Sequence, residues 1–279
     1  MAVSIRNLSD PLGAEITGAD LSRPLDAETA DRLRRAFVDR ALLVIRDQTL
    51  DAPRFLAAAR LFGEPVRQHL ERFNLPDCPD VATISNQEKT KDGKINVRGV
   101  SWHTDHSFQP EPPKATVLFA VALPSKGGDT RWAHMGAAYD ALPETLRAEV
   151  DDLEAVHAYT ESRMPPSLAE RIAAGDDDVS DGVVHPLIRT HPENGRRAIY
   201  LNPLRVRRFR GMTPESSADL IDRLVTHSTR PEFTYTHHWR PGDMVIWDNR
   251  CCIHKATADY DFQELRLLYR IILAGDKPH

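Results

Sequence analysis

Apolar residues in the first part of the chain recur at helical spacing. Ala30, Leu33 and Phe37 fall on one side of a helix that Asp26 would cap and that runs to about Asp39. The run Ala41-Leu42-Leu43-Val44-Ile45 reads as a buried strand, and a second helix is expected from near Asp51 to Gly63, with Phe55, Leu56, Ala59 and Phe62 on one side. This opening could begin a doubly wound fold, but the alternation stops there. From about Val81 onward the pattern changes to short apolar or alternating runs separated by Pro, Gly and Asn: Thr116 to Ala120, Ala198 to Leu201, Phe233 to Thr236 and Asp243 to Trp247. Many short strands with such punctuation predict an all-β core, a sandwich or jelly roll, with flanking helices. Helices should interrupt it near Leu142 to Leu153, with Pro143 in the first turn, and near Pro214 to His227. Residues 162–184 hold Pro165, Pro166, Gly175 and the acidic run Asp176-Asp177-Asp178, and read either as a lid over a site or as a solvent-exposed insertion.

Composition narrows the class of protein. With 279 residues, 41% of them hydrophobic and 28% charged, the chain fits one soluble domain spanning 1–279. Its net charge of −5 is made of mixed signs, which argues against nucleic acid as a partner. The basic stretch Arg205-Val206-Arg207-Arg208-Phe209-Arg210 reads as a solvated strand or loop. Cys78, Cys251 and Cys252 make a poor disulfide framework and are expected to be reduced, which suggests the cytoplasm. The first residues lack a signal-peptide pattern, and no run approaches the roughly 20 apolar residues that span a bilayer. The length buries enough apolar surface for a stable monomer, leaving a homo-oligomer open but not required.

The candidate chemistry begins at His103-Thr104-Asp105. In a strand, residues i and i+2 share a face, so both side chains would point into a barrel, where a distant histidine could complete a set of two imidazoles and one carboxylate. Such a facial set leaves metal positions open and is typical of non-haem Fe(II) oxygenases. The spacing alone is weak: 12 histidines and 41 acidic residues give about one or two chance matches. His69-Leu70-Glu71 and His191-Pro192-Glu193 share it. The third ligand would be His254, which follows a predicted strand and a turn at Asp248-Asn249. Taken singly, it reads as a surface or core histidine.

A second element is independent of the first. In Arg266-Leu267-Leu268-Tyr269-Arg270-Ile271-Ile272, period 2 puts Arg266, Leu268 and Arg270 on one face and Leu267, Tyr269 and Ile271 on the other. Two arginines entering a barrel need anionic partners, and a guanidinium suits a carboxylate through paired hydrogen bonds. An edge strand turning both arginines to water is the alternative.

Together these segments resemble the Fe(II)/2-oxoglutarate-dependent dioxygenase family that includes taurine dioxygenase and 2,4-dichlorophenoxyacetate dioxygenase. The likeness runs through Leu12-Gly13-Ala14-Glu15-Ile16-Thr17-Gly18, Phe62-Gly63-Glu64, Trp102-His103-Thr104-Asp105, Gly127-Gly128-Asp129-Thr130, Trp247-Asp248-Asn249-Arg250 and Leu273-Ala274-Gly275-Asp276-Lys277-Pro278. The resemblance implies a double-stranded β-helix (jelly roll). It implies Fe(2+) on His103, Asp105 and His254, with 2-oxoglutarate and O2 as co-substrates, and Arg266 with Thr130 on the distal carboxylate. Arg270 matches an arginine that binds the acidic group of the primary substrate. His69 falls near a substrate-contacting histidine, and His106 could line the pocket or face outward. The reaction implied is hydroxylation of a C–H bond in a small anionic organic substrate, an aryloxyalkanoate-like carboxylate or an alkylsulfonate such as taurine, yielding succinate and CO2. The interval from His254 to Arg266 is one residue longer than in the taurine enzyme, with the insertion around Asp261-Phe262. Lys89, Lys91, Lys94 and Arg98 depart from the taurine pattern, while Ile84-Ser85-Asn86 followed by Asp92-Gly93-Lys94 looks closer to the phenoxyacetate enzyme. A non-oxygenase jelly-roll enzyme, such as a Zn or Mn lyase or isomerase, could use the same three ligands. Two inward arginines beside Thr130 argue against it, because they imply a dicarboxylate.

Overall fold

The computed structural model describes residues 3–67, 71–88, 95, 97, 99–159 and 182–279. The first helix, α1 (Ala27–Arg40), starts where Asp26 accepts the Thr29 N–H and stops at Ala41, which takes a left-handed φ of 57°. Helix α2 (Ala52–Ala59) is capped by Asp51 and ends four residues before the expected Gly63. There Leu61 and Phe62 donate to Ala58 and Ala59 instead, tightening the chain into a turn. Helix α3 (Met135–Asp140) was not foreseen, because six residues are too few to show a period. Helix α4 (Glu144–Val150) is shorter than expected at both ends, with Pro143 as its N-cap. Helix α5 (Pro214–Ser228) begins at the Thr213 cap and agrees with the reading from sequence.

The strands are β1 (Ser4–Asn7), β2 (Ala14–Thr17), β3 (Leu42–Ile45), β4 (Pro65–Val66), β5 (Asn74–Leu75), β6 (Cys78–Ser85), β7 (Ala115–Ala122), β8 (Thr130–His134) and β9 (Glu154–His157). They continue as β10 (Val183–Pro186), β11 (Ile188–Thr190), β12 (Arg197–Ile199), β13 (Val206–Phe209), β14 (Thr234–His237), β15 (Met244–Asp248), β16 (Cys252–Ala256) and β17 (Leu267–Leu273). Among the described residues the major sheet runs β1-β2-β3-β15-β7-β17-β6-β5, with β4 also on β17, and a minor sheet runs β14-β8-β16. The chain passes from β7 in the major sheet to β8 in the minor, then from β14 in the minor to β15, β16 and β17 in alternation. That path winds a double-stranded β-helix, the jelly roll expected from the sequence.

Period-2 alternation divides the core in two. Leu43, Ile45, Val117, Phe119, Met244, Ile246, Ile271 and Leu273 face outward, against Leu33 and Phe37 of α1 and Phe55 of α2. Their neighbours Leu42, Val44, Leu118, Ala120, Val245, Trp247 and Leu268 face inward, toward Trp132 and Ile253 of the minor sheet. The major-sheet strands β3, β7 and β15 are therefore covered on both faces, which is why they read as continuous apolar runs. On β17, Leu268 falls in the inner cluster while Tyr269 and Ile271 pack in the outer one. This puts Arg266 and Arg270 on the interior face, as the alternation predicted.

Two further expectations are corrected. The basic run Arg205 to Arg210 is not a solvated segment, because Val206 and Phe209 are fully buried on β13. The expected lid or insertion lies outside the described residues over 162–181, and Val183 and Val184 belong to β10. Cys78, Cys251 and Cys252 are free and buried. Among the described residues no helix is long and apolar enough to cross a membrane.

Candidate active site

Three segments distant in sequence meet at one end of the barrel. His254 lies on β16, between two buried tryptophans: Trp132 is its cross-strand partner, and the Trp247 ring centroid is 4.5 Å from its own. His103 is joined to it by an isolated antiparallel bridge, His103 N to His254 O at 3.0 Å and His254 N to His103 O at 2.7 Å. Contrary to the expectation, His103 and Asp105 do not share a strand. The bridge is a single residue long, and the chain turns at once through Asp105 to Phe108. Asp105 reaches the same point as His103 because that turn is fixed from outside. Asn202 donates to Thr104 O at 2.7 Å, and His185 approaches Ser107 O and Gln109 O at 3.0 Å each.

His103, Asp105 and His254 each present a donor atom, all within 4.8 Å of one another. His103 Nε2 is 3.9 Å from Asp105 Oδ1, and His254 Nε2 is 4.0 Å from Asp105 Oδ2. These gaps are too long for hydrogen bonds. They suit two ligand bonds of about 2.0–2.2 Å to a shared cation. The tautomer also fits. His103 Nδ1 lies 2.8 Å from the Ser101 carbonyl, which can only accept, so its proton sits there and Nε2 keeps a lone pair. Burial lowers the proton affinity of both imidazoles, His254 more strongly, and holds them neutral. Burial is the largest single influence on the Asp105 carboxyl and would raise it, but the Arg270 guanidinium together with the His254, His103 and His106 rings outweighs it and holds the group ionised. Two neutral imidazoles and one carboxylate are a donor set for a divalent first-row metal.

Arg270 lies 3.0 Å from Asp105 Oδ1. Arg266, just before β17, is buried, and its Nε and Nη2 donate to Gly128 O at 3.0 and 2.9 Å. Among the described residues no carboxylate lies within ion-pairing distance of it, and burial lowers its pKa. A desolvated guanidinium with a neutral partner is matched to an incoming carboxylate. Gly128 must be glycine for this contact: its φ is +70°, and a Cβ there would stand 2.9 Å from Arg266 Nε. Thr130, two residues on, is buried at the start of β8, and its hydroxyl accepts from Trp239 Nε1 at 3.1 Å.

A family model described as "Taurine catabolism dioxygenase TauD, TfdA family" matches residues 4–272. The chain belongs to the TauD/TfdA dioxygenase family. An alpha-ketoglutarate-dependent sulfate ester dioxygenase of Pseudomonas putida is 36% identical over 285 residues, covering 100% of this chain and 91% of the relative. An (S)-phenoxypropionate/alpha-ketoglutarate-dioxygenase of Sphingobium herbicidovorans is 35% identical over 284 residues, covering 99% and 96%. The crystal structure of a taurine dioxygenase from Burkholderia xenovorans matches with a TM-score of 0.84 at 35% identity, covering 100% of this chain and 91% of that one. Membership removes the non-oxygenase lyase or isomerase reading.

Within this TauD/TfdA protein, the candidates from sequence fall as follows. His103, Asp105, His254 and Arg270 converge, and Arg266 and Thr130 are linked through the backbone of Gly128 to Thr130. His106 sits in the turn after Asp105, half-buried with a left-handed φ of 49° and its ring 5.6 Å from Phe108. His69 lies outside the described residues. Sequence reasoning missed Thr116, whose hydroxyl donates to Asp105 Oδ2 at 2.6 Å, and Trp239. A threonine in an apolar strand and a tryptophan after a strand carry no motif. Two buried histidines the reading passed over, His157 and His185, brace the turn that carries Asp105.

A second buried cluster, His191, Asp248 and Cys251, is also close enough to share a cation. It is already satisfied internally. Arg250 donates to both Asp248 oxygens at 2.9 and 2.6 Å, and His191 Nε2 lies 3.1 Å from Oδ2. Burial would raise the Asp248 carboxyl, but Arg250 overrides it. This pairing accounts for the Asp248 and Arg250 of the Trp247-Asp248-Asn249-Arg250 motif without a metal.

Proposed function

We propose that this protein is an Fe(II)- and 2-oxoglutarate-dependent dioxygenase that hydroxylates a C–H bond of a small organic anion, and that residues 1–279 work as one domain. The observation that carries the reading is the buried Arg266, with no carboxylate within ion-pairing distance among the described residues, on the same interior face as the His103, Asp105 and His254 donor set. His103, Asp105 and His254 hold the iron, and Arg266 with the Thr130 hydroxyl holds the distal carboxylate of 2-oxoglutarate. Bound there with 2-oxoglutarate and dioxygen, iron supplies the oxidising power for C–H hydroxylation, and the co-substrate leaves as succinate and carbon dioxide.

The chain's own groups do the rest. Ser101 O fixes the His103 tautomer, so that Nε2 stays a ligand rather than a proton donor. Arg266 selects a dicarboxylate by charge and geometry. Trp239 donates into the Thr130 oxygen, which leaves the Thr130 O–H to donate to a carboxylate. Arg270 supplies the cation for the anionic group of the primary substrate, and His106 and His69 are the further candidates for contact with it. The sulfate-ester and phenoxypropionate relatives support a sulfate ester or an aryloxyalkanoate, with alkylsulfonates such as taurine as the third class. Hydroxylation at a carbon bearing an ether or ester oxygen gives a product that collapses to a carbonyl and a leaving group, so release of phenol or sulfate reports the reaction.

The test is anaerobic absorption spectroscopy with Fe(II) and 2-oxoglutarate, followed by succinate release with an alkyl sulfate, a phenoxypropionate and taurine. The expected result is a weak visible charge-transfer band, absent in His103→Ala, and a 2-oxoglutarate affinity reduced roughly 30-fold or more in Arg266→Ala. Iron binding with no band on adding 2-oxoglutarate would sink the reading.

A further inference from the structure

Asp105 carries a hydrogen-bond chain whose direction can be read bond by bond. It begins at Trp247, whose indole N–H can only donate and which lies 3.0 Å from Asn249 Oδ1. That contact identifies Oδ1 as the carbonyl end of the amide, an assignment geometry alone rarely fixes. The other end, Nδ2, therefore donates, and it lies 3.0 Å from Thr116 Oγ1. With its oxygen accepting from Asn249, the Thr116 hydroxyl turns its proton to Asp105 Oδ2 at 2.6 Å, a short charge-assisted bond. The Asp105 backbone N–H also points to Asn249 Oδ1 in a longer contact, N to O 3.4 Å, while Thr104 Oγ1 donates to Asn249 O at 2.9 Å.

Thr116 is fully buried, and Trp247 and Asn249 are nearly so. Sheet register explains how they meet. Trp247 on β15 pairs directly with Thr116 on β7, both face inward, and Asn249 follows at the end of β15. Thr116, Asn249 and Trp247 are thus shielded from bulk solvent, and the bonds between them act at low dielectric.

We infer that Trp247, Asn249 and Thr116 form a polarised relay that positions the Asp105 carboxylate for the metal. The relay commits one lone pair of Oδ2 to Thr116 and fixes rotation about the Asp105 side chain. This restraint matters because Asp105 stands on a turn, where no strand geometry aims its side chain. Thr116 and Asn249 are positioning residues, and the inference rests on the reading of His103, Asp105 and His254 as metal ligands.

The experiment titrates purified full-length protein with Mn(II) in the presence of 2-oxoglutarate and follows free Mn(II) by electron paramagnetic resonance. The melting temperature of each metal-free variant is measured alongside. Thr116→Val keeps the shape and removes the donor, and is expected to weaken Mn(II) binding 10–100-fold, by the usual effect of losing an outer partner of a metal ligand. Thr116→Ser should restore binding to within about threefold. Trp247→Phe removes the N–H that orients Asn249, and should weaken binding severalfold in the wild-type background but not in Thr116→Val. Should Thr116→Val not fold, Thr116→Cys, a much weaker donor of similar size, carries the same expectation.

Wild-type affinity in Thr116→Val overturns the relay. So does failure of Thr116→Ser to rescue, or a Trp247→Phe effect of equal size in both backgrounds. Asp105→Ala separates the two levels. If it binds Mn(II) as tightly as wild type, the ligand reading and the relay fall together. If it loses Mn(II) while Thr116→Val does not, only the relay falls.

Discussion

Arg266 and Thr130 are set up by neighbours that carry no charge. The Gly128 carbonyl takes two donors of the guanidinium, and Trp239 takes up the acceptor side of the Thr130 hydroxyl. Trp239→Phe removes that bias and lets the hydroxyl point elsewhere. The expected outcome is a three- to tenfold rise in the KM for 2-oxoglutarate, roughly the worth of one hydrogen bond, with kcat within about twofold of wild type. Steady-state titration of 2-oxoglutarate at saturating substrate checks it, and an unchanged KM would remove Trp239 from the pocket's machinery.

At the scale of elements, the decisive piece is the turn Asp105 to Phe108, which no regular structure stabilises. Its supports come from strands far along the chain: His157 at the end of β9, His185 on β10, and Asn202 after β12. Ser107 is the hub. Its hydroxyl meets Asn202 Nδ2 and His157 Nδ1 at 3.0 Å each, and its carbonyl meets His185 Nε2 at 3.0 Å. Ser107→Ala leaves the buried Asn202 and His157 groups short of a partner and should cost about 1–3 kcal/mol in urea unfolding, with an unchanged m-value. A loss below about 0.5 kcal/mol would mean the turn holds itself.

How far the elements could be read in advance follows from their length and covering. Helices α1 and α5 were legible because 14 and 15 residues give several turns of period, and α1 also starts at the readable cap Asp26. The inward placement of Arg266 and Arg270 was legible because β17 alternates over seven residues. Helix α3 and the bridge at His103 were not, since both are shorter than any period. The strand placement of His103 and Asp105 was wrong in its reason yet right in its consequence: a turn braced from outside brings the two side chains together as a strand would.

The whole molecule buries several histidines outside the candidate metal site, and these shape its response to acid. Burial pushes His157 down to about 3 and His134 down to about 4, from an ordinary 6.5. Both are neutral in folded and unfolded chains above pH 6.5, so they cost nothing there. Below 6.5 the unfolded chain takes up protons that the folded chain refuses, and stability falls until the folded values are reached. At pH 5 each histidine should cost about 2 kcal/mol relative to pH 7.5. Urea unfolding of the metal-free protein across that range should show the decline, and His157→Gln should remove about half of what this pair contributes. A flat profile from pH 7.5 to pH 5 would contradict the burial of these neutral imidazoles.

The sequence by itself determined the mostly-β class with flanking helices and the two arginines on one face, and its resemblance to a family named the three residues that converge as the candidate donor set. The first two are local patterns, readable because periodicity and capping are properties of neighbouring residues; the third came from the order of short motifs along the whole chain. Only the tertiary structure decided how Asp105 is aimed, which donors flank it and Thr130, and that the Asp248 and Arg250 of the Trp247 motif satisfy each other. These depend on β15 lying beside β7 and on β9, β10 and β12 closing behind the turn. Contacts between segments more than a hundred residues apart, such as Asn249 and Thr116, leave no period in a single chain. They are set by the register of the sheets, which packing of the whole core selects.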